Sequence, residues 1–343
     1  MPVVVPQSPP FINPAQRAKT GLPSRFQRTA GSFQDERASA SPTPMTSSLK
    51  PHKADELEDG PLPSELIRKV LLHLPIKCHC ILWACEDTSV ASKMCLVNSI
   101  VHDWVLPVIY HSVQFQFSKD ITNFVVKHDV PDPRIRSRFK LIRDLYVGRI
   151  PGQDGDLLYG SHQWPIPLLQ RFIGLCTELR SLTVLYIDQR LWSRFEPLLP
   201  VHLEKITLGP MHGSLTPQNL ARKPPIRYFT SAYTCLSDEE IEELFKYPTM
   251  TRVRKFCEAN SMGPAWALNQ ASLVDKSKNL KEYEIVICGT PDRTEPICLF
   301  VEQCLKQTSV ANRVLLRQAL SGSWVNDVYD EFLHYRRHFI ALQ

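Results

Sequence analysis

Cys78, Cys80, Cys85 and Cys95, with His73 and His79 beside them, offer thiolate and imidazole groups to a soft divalent ion. Structural zinc sites usually pair a Cys-x2-4-Cys knuckle with a second knuckle of the same kind. Here Cys-x-Cys-x4-Cys stands without a second knuckle. Ile81, Leu82, Ala84 and Cys85 read better as an apolar helix stripe, with cysteine as a small hydrophobe. His334 and His338 are four apart with Glu331 nearby, but they fall opposite the apolar stripe Val325, Val328, Phe332 and Phe339 and lack a third ligand. Asp154-Gly155-Asp156 could hold a cation, although such turns are ordinary loop chemistry. Gly148, Gly152 and Gly155 are spaced wrongly for a dinucleotide turn, and there is no Gly-x4-Gly-Lys-Ser/Thr, Gly-x-Ser-x-Gly or His-Glu-x-x-His motif. The expectation is no metal, no cofactor and no catalytic residue.

Composition narrows the classes further. The 343 residues are 43% hydrophobic and 9% aromatic, enough for a sizeable folded core. The net charge of +5 is uneven. Residues 1–53 carry Arg17, Lys19, Arg25, Arg28, Arg37, Lys50 and Lys53 against Asp35 and Glu36, an excess that accounts for the whole. The remainder is neutral, which argues against a nucleic-acid surface. No apolar run reaches the ~18–20 residues needed to cross a bilayer. Ten cysteines at irregular spacings, with no secretory leader and no Asn-x-Ser/Thr acceptor, suit reduced thiols in the cytoplasm or nucleus. The first 58 residues, rich in Pro, Ser and Arg, are expected to be a disordered tail. Ser39-Ala40-Ser41-Pro42-Thr43-Pro44 within it could be phosphorylated.

The elements begin with a bounded helix from Leu62 to Pro75. Pro63 suits the first turn and Glu65 the positive end of the dipole. Leu66, Ile67, Val70, Leu71 and Leu74 form one apolar face, with Arg68, Lys69 and His73 on the other. A second apolar segment runs from Cys95 through Leu96, Val97 and Trp104 to Tyr110. So small a helical unit cannot supply its own core and must lean on the rest of the chain or on a partner.

Leu62-Pro63-x-Glu65-Leu66-Ile67, then Leu74-Pro75, Cys95-Leu96-Val97-x-Ser99 and Leu106-Pro107-x-Ile109-Tyr110 together resemble the F-box module, in particular that of fungal F-box-like proteins. The resemblance covers roughly residues 60–115 and implies binding to a Skp-type adaptor within a cullin-based ubiquitin ligase. It places Leu62, Pro63, Glu65, Leu66, Ile67, Val70, Leu71, Leu74, Leu96 and Val97 against that adaptor, and implies an unidentified protein substrate held elsewhere. The segment Ile76–Met94 is longer than the family usually has. That length suits an alternative, a repeat scaffold with no role in ubiquitin transfer.

Val113–Phe117 alternates as a strand. An apolar-x-x-apolar-x-apolar unit then recurs, starting at Ile142, Leu179, Leu203, Ile226, Val253 and Leu280. Most of its intervals match the 20–29 residues of leucine-rich repeats. Helix signals lie between copies: the capping box from Ser237 to Glu240, Pro264 before Ala265–Val274, and Thr294 with Pro296 before Ile297–Leu305. The expected fold is α/β: the tail (1–58), an F-box-like helical module (59–112), then a degenerate leucine-rich-repeat-like solenoid of short parallel strands and helices (113–343). A last helix, Ser323–Ile340, would cap the open end of the array. Outward strand residues Tyr146, Thr183, Thr207, Tyr228, Lys255 and Glu282 are the candidate substrate contacts.

Overall fold

Parallel strands cannot be joined by hairpins, so a chain of short apolar strands separated by helical signals must cross over after each one. The computed structural model, which describes residues 88–97 and 99–341, with side chains described for 91–97 and 99–334, has this form. Helix α1 (Thr88–Met94) and helix α2 (Ser99–His111) lead into strand β1 (Ser112–Phe115). There follow α3 (Ser118–His128), β2 (Asp144–Val147), α4 (Ile166–Leu175), β3 (Ser181–Leu185), β4 (Lys205–Gly209) and β5 (Tyr228–Ala232). The chain continues through α5 (Asp238–Phe245), β6 (Arg252–Glu258), α6 (Gly263–Ala271), β7 (Glu282–Cys288), α7 (Pro291–Leu305), β8 (Val314–Gln318) and α8 (Trp324–Ala341). Short helical turns complete the crossovers from β3 to β4 and from β4 to β5. All eight strands are parallel and lie in sequence order, β1 to β8.

The register explains the repeat. Val113, Leu145, Leu182, Ile206, Phe229, Val253, Tyr283 and Val314 are aligned across the sheet and form one apolar row. Phe115, Val147, Val184 and Leu208 begin a second row on the same face. The crossover helices cover this face with Ile121, Leu169, Phe172, Ile241, Leu244, Ala267 and Val301, giving one continuous core. The residue three before each strand anchor is also buried: Ile142, Leu179, Leu203, Ile226 and Leu280. In β6 that position is Met250, not Val253, so the copy expected to start at Val253 begins three residues earlier.

The helix starts reflect local chemistry. Ser237 and Glu240 form the capping box at α5. Asp156 accepts from the Ser118 amide at 2.7 Å and its hydroxyl at 2.9 Å, so this loop carboxylate, weighed above as a cation ligand, fastens the start of α3. Helix α7 begins at Pro291 after Thr290, and Pro296 lies inside it, so the helix starts earlier than Thr294 suggested.

Helix α8 does not sit at the end of the array. It crosses the second face of the sheet, where Trp324, Val328 and Phe332 pack with Tyr146, Leu185, Ala232, Phe256 and Val286. The crossovers thus cover the first face, and a single helix covers the apolar centre of the second. Among the described residues no helix is long and apolar enough to cross a membrane.

Candidate functional site

Three places carry groups able to recognise another molecule. The first is the helical pair at the start of the described chain. Helix α2 buries Val101, Val105 and Val108 against Ala91 of α1, a small core of its own. Tyr110 ties it to α3, its hydroxyl meeting His128 Nε2 at 2.6 Å, and His111 at its end faces the Asp144 carboxylate of β2 at 3.2 Å. Beyond this packing, Leu96 is 86% exposed and Val97 49%, both in the turn between α1 and α2, and Ile100 stands exposed on the first turn of α2. Of the expected adaptor contacts, Leu96 and Val97 are thus at the surface. Leu62, Pro63, Glu65, Leu66, Ile67, Val70, Leu71 and Leu74 lie outside the described residues, as do Cys78, Cys80 and Cys85.

The second place is the sheet face under α8, and it alters the expected substrate surface. Tyr146, Thr183 and Thr207 share one row of this face and are buried, because α8 lies over it. Tyr146 contacts Tyr329 and Phe332, with ring centroids 5.4 and 5.2 Å away. Tyr228 and Glu282 share the neighbouring row and are half-buried, Glu282 accepting from Arg252 at 3.0 Å. Tyr146, Thr183 and Thr207 are thus packing positions and Glu282 is paired, while Tyr228 keeps part of its surface open. At the centre, Glu331 of α8 bridges Lys205 and Arg254, each at 2.9 Å. Arg254 also pairs with Glu284 at 2.5 Å, and Arg317 with the same carboxylate at 3.3 Å. Burial alone would raise the Glu331 carboxyl, but the Lys205 and Arg254 charges outweigh it and hold it below the usual carboxylate range. Burial pushes the Lys205 ammonium down, and Glu331 partly restores it.

Lys255 belongs to neither group. It aligns with Leu208, Ser231 and Ile285 on the first face, opposite to the expectation. The reason is the three-residue offset in β6: an odd shift turns every side chain to the other face.

The third place is at the carboxyl ends of β4, β5 and β6, the end where open parallel sheets most often hold ligands. A cleft of about 390 Å³ there is lined by residues including Met211, Tyr233, Lys255, Cys257, Met262 and Trp266. Lys255 Nζ donates to the Gln270 oxygen at 2.8 Å, and Gln270 Nε2 in turn donates to the Leu236 carbonyl at 2.8 Å. Nearby His212 is buried and neutral, with Nδ1 to the Gly213 carbonyl at 2.5 Å and Nε2 to the Ser231 hydroxyl at 2.8 Å. Burial pushes the His212 imidazole down to about 4 and the Cys257 thiol up to about 12, so neither suits proton transfer or nucleophilic attack near neutral pH. No sequence motif marks this cleft. Its one legible trace is Ser231 and Lys255 interrupting an otherwise apolar row.

Among the described residues, no three His, Cys, Asp or Glu side chains gather as a metal-holding group. Compared with models of protein families and with curated proteins, the chain matches none of them.

Proposed function

We propose that this chain is a non-catalytic protein-recognition subunit of an F-box-like kind, working in the cytoplasm or nucleus. Its N-terminal helical module binds a Skp-type adaptor of a cullin-based ubiquitin ligase. Its α/β region, a degenerate leucine-rich-repeat-like array, holds a protein substrate. The observation that carries this reading is the exposure of the apolar residues Leu96, Val97 and Ile100 in the segment that resembles the module. Exposed leucine and valine side chains at a helix start gain about 1.5–3 kcal/mol each when fully covered, so an apolar partner surface is the natural occupant. The unbroken sequential order of eight parallel strands supports a repeat-like array.

The test is capture of a Skp-type adaptor by the full chain. Wild type should co-purify with it, and Leu96→Asp with Val97→Asp should abolish capture while leaving the thermal midpoint unchanged, since both positions are already at the surface. A folded wild-type chain that captures no adaptor sinks the reading. The second reading, a repeat scaffold outside ubiquitin transfer, is favoured by the long Ile76–Met94 segment and by the fastening of α2 to α3 through Tyr110. That reading would gain from hydrogen exchange showing Leu66–Leu74 protected in the isolated chain.

A further inference from the structure

The cleft at the ends of β5 and β6 has an electrostatic imbalance. Lys255 is only 2% exposed, and its ammonium carries three donors. Its hydrogen-bond acceptor is the neutral Gln270 amide. Among the described residues no carboxylate stands within ion-pair distance of it; Asp238 reaches it through Gln270, whose Nε2 lies 3.2 Å from the Asp238 carboxylate. Burial pushes the ammonium's pKa down, as expected of a charge without a direct counter-ion.

A second feature has the same sign. Met262, Gly263 and Trp266, at the start of α6, border the cleft, and the first turn of that helix holds no acidic residue. The positive end of its dipole is therefore uncompensated from within the helix. Much of the rim, by contrast, is apolar: Trp266 is 45% exposed and Met262 67%, with Met211 also at the surface beside the polar Glu258 and Ser261. Met211 and Tyr233, both on this lining, sit at φ of 56° and 52°, backbone positions that bulky residues adopt only when the surroundings enforce them. A buried cation beneath an exposed tryptophan and two methionines is costly for folding alone, and it complements an anion attached to an apolar body.

We propose that this cleft binds the C-terminus of a peptide, with the terminal carboxylate at Lys255 and the last, apolar side chain against Trp266 and Met262. The proposal rests on reading the α/β region as the recognition part of the protein, and it names the class of substrate. A terminal residue presents its charge and its side chain from a single Cα, which suits one ammonium below an apolar rim. Glu258 is exposed on the same lining, away from the buried Lys255.

The experiment uses the full chain without any adaptor, incubated with a random-sequence heptapeptide mixture in two forms, free and amidated at the C-terminus. Free peptides ending in an apolar residue should be recovered with a preference of about thirtyfold or more, the effect of removing one partner of a desolvated charged contact. Lys255→Met should erase the preference; it removes a buried charge but leaves the Gln270 oxygen without its donor, so the thermal midpoint is measured alongside to show that the chain folds. Trp266→Ala, at an exposed position, should weaken recovery of free peptides about tenfold and serves if the lysine variant does not fold. Equal recovery of free and amidated peptides overturns the proposal, as does an unchanged preference in a folded Lys255→Met chain. A carboxylate preference without adaptor capture overturns the ubiquitin reading alone.

Discussion

Replacing Glu331 by Gln tests whether the charged network fixes α8 to the sheet. The substitution keeps shape and volume, so no cavity forms. It leaves Lys205, buried and 2.9 Å away, without that carboxylate, while Arg254 keeps Glu284. Removing one partner of a fully buried pair costs roughly 3–5 kcal/mol. The Glu331 side chain is 24% exposed and Arg254 retains its second partner, so about 2–3 kcal/mol is the expected loss here. For a domain of this size that lowers the melting temperature by about 4–12 °C. The pH dependence supplies a sign. Glu331 has a depressed folded pKa, so its contribution is present above the unfolded value of about 4.3 and is lost as pH falls through the folded one. The gap between wild type and variant should therefore be full at pH 7 and shrink only as pH falls below about 4.3 toward the depressed folded pKa. Lys205→Met with Glu331→Leu, an apolar pair in place of the charged one, should cost less than the single change. A single variant within about 0.5 kcal/mol of wild type at pH 7, or a gap that persists in acid, refutes the reasoning.

Two further outcomes follow from the packing. Gly148 has φ of +143°, and a Cβ there would lie 2.7 Å from the Leu185 Cβ, so Gly148→Ala should destabilise the fold by about 2–3 kcal/mol in a urea titration; a change below about 0.5 kcal/mol would contradict this. His212, held down to about 4, remains neutral in the fold while the unfolded chain takes up its proton near pH 6.5. Acid therefore favours unfolding, and wild type should lose about 2 kcal/mol between pH 6.5 and 5 relative to His212→Gln. Parallel stability curves for the two proteins would show that the imidazole is not responsible.

Much of the sheet could be read from the amino acids because its first-face rows are nearly pure hydrocarbon. Leu145, Leu182, Ile206 and Phe229 recur at near-constant spacing, helix signals follow the later copies from Ser237 onward, and that combination leaves few alternatives to parallel crossovers. The misplaced copy in β6 has a specific cause. Val253 and Phe256 are both apolar and three apart, yet they point to opposite faces, and each face is buried. A strand covered on both sides loses the alternation that fixes its phase. The location of α8 was hidden for another reason: an amphipathic helix states that it has a buried side, not what it lies against. Glu331 beside Phe332, near the stripe formed by Trp324 and Val328, was the available hint, matched by Lys205 and Arg254 on the strands. The cleft was least legible, since its lysine, tryptophan and methionines come from separate loops and strands.

That a single helix, encoded after the last strand, covers the apolar part of the second face has a consequence for biogenesis. While a ribosome is still translating β8, the side of the nascent domain bearing Tyr146, Leu185, Phe256 and Val286 still lacks the one described helix that packs on it. Strand-by-strand assembly during synthesis thus leaves a sticky intermediate until Trp324 to Phe332 leave the exit tunnel. Holdase chaperones are the natural guardians of that interval, and a premature stop just after Gln318 would yield an aggregating product in place of a shorter working one.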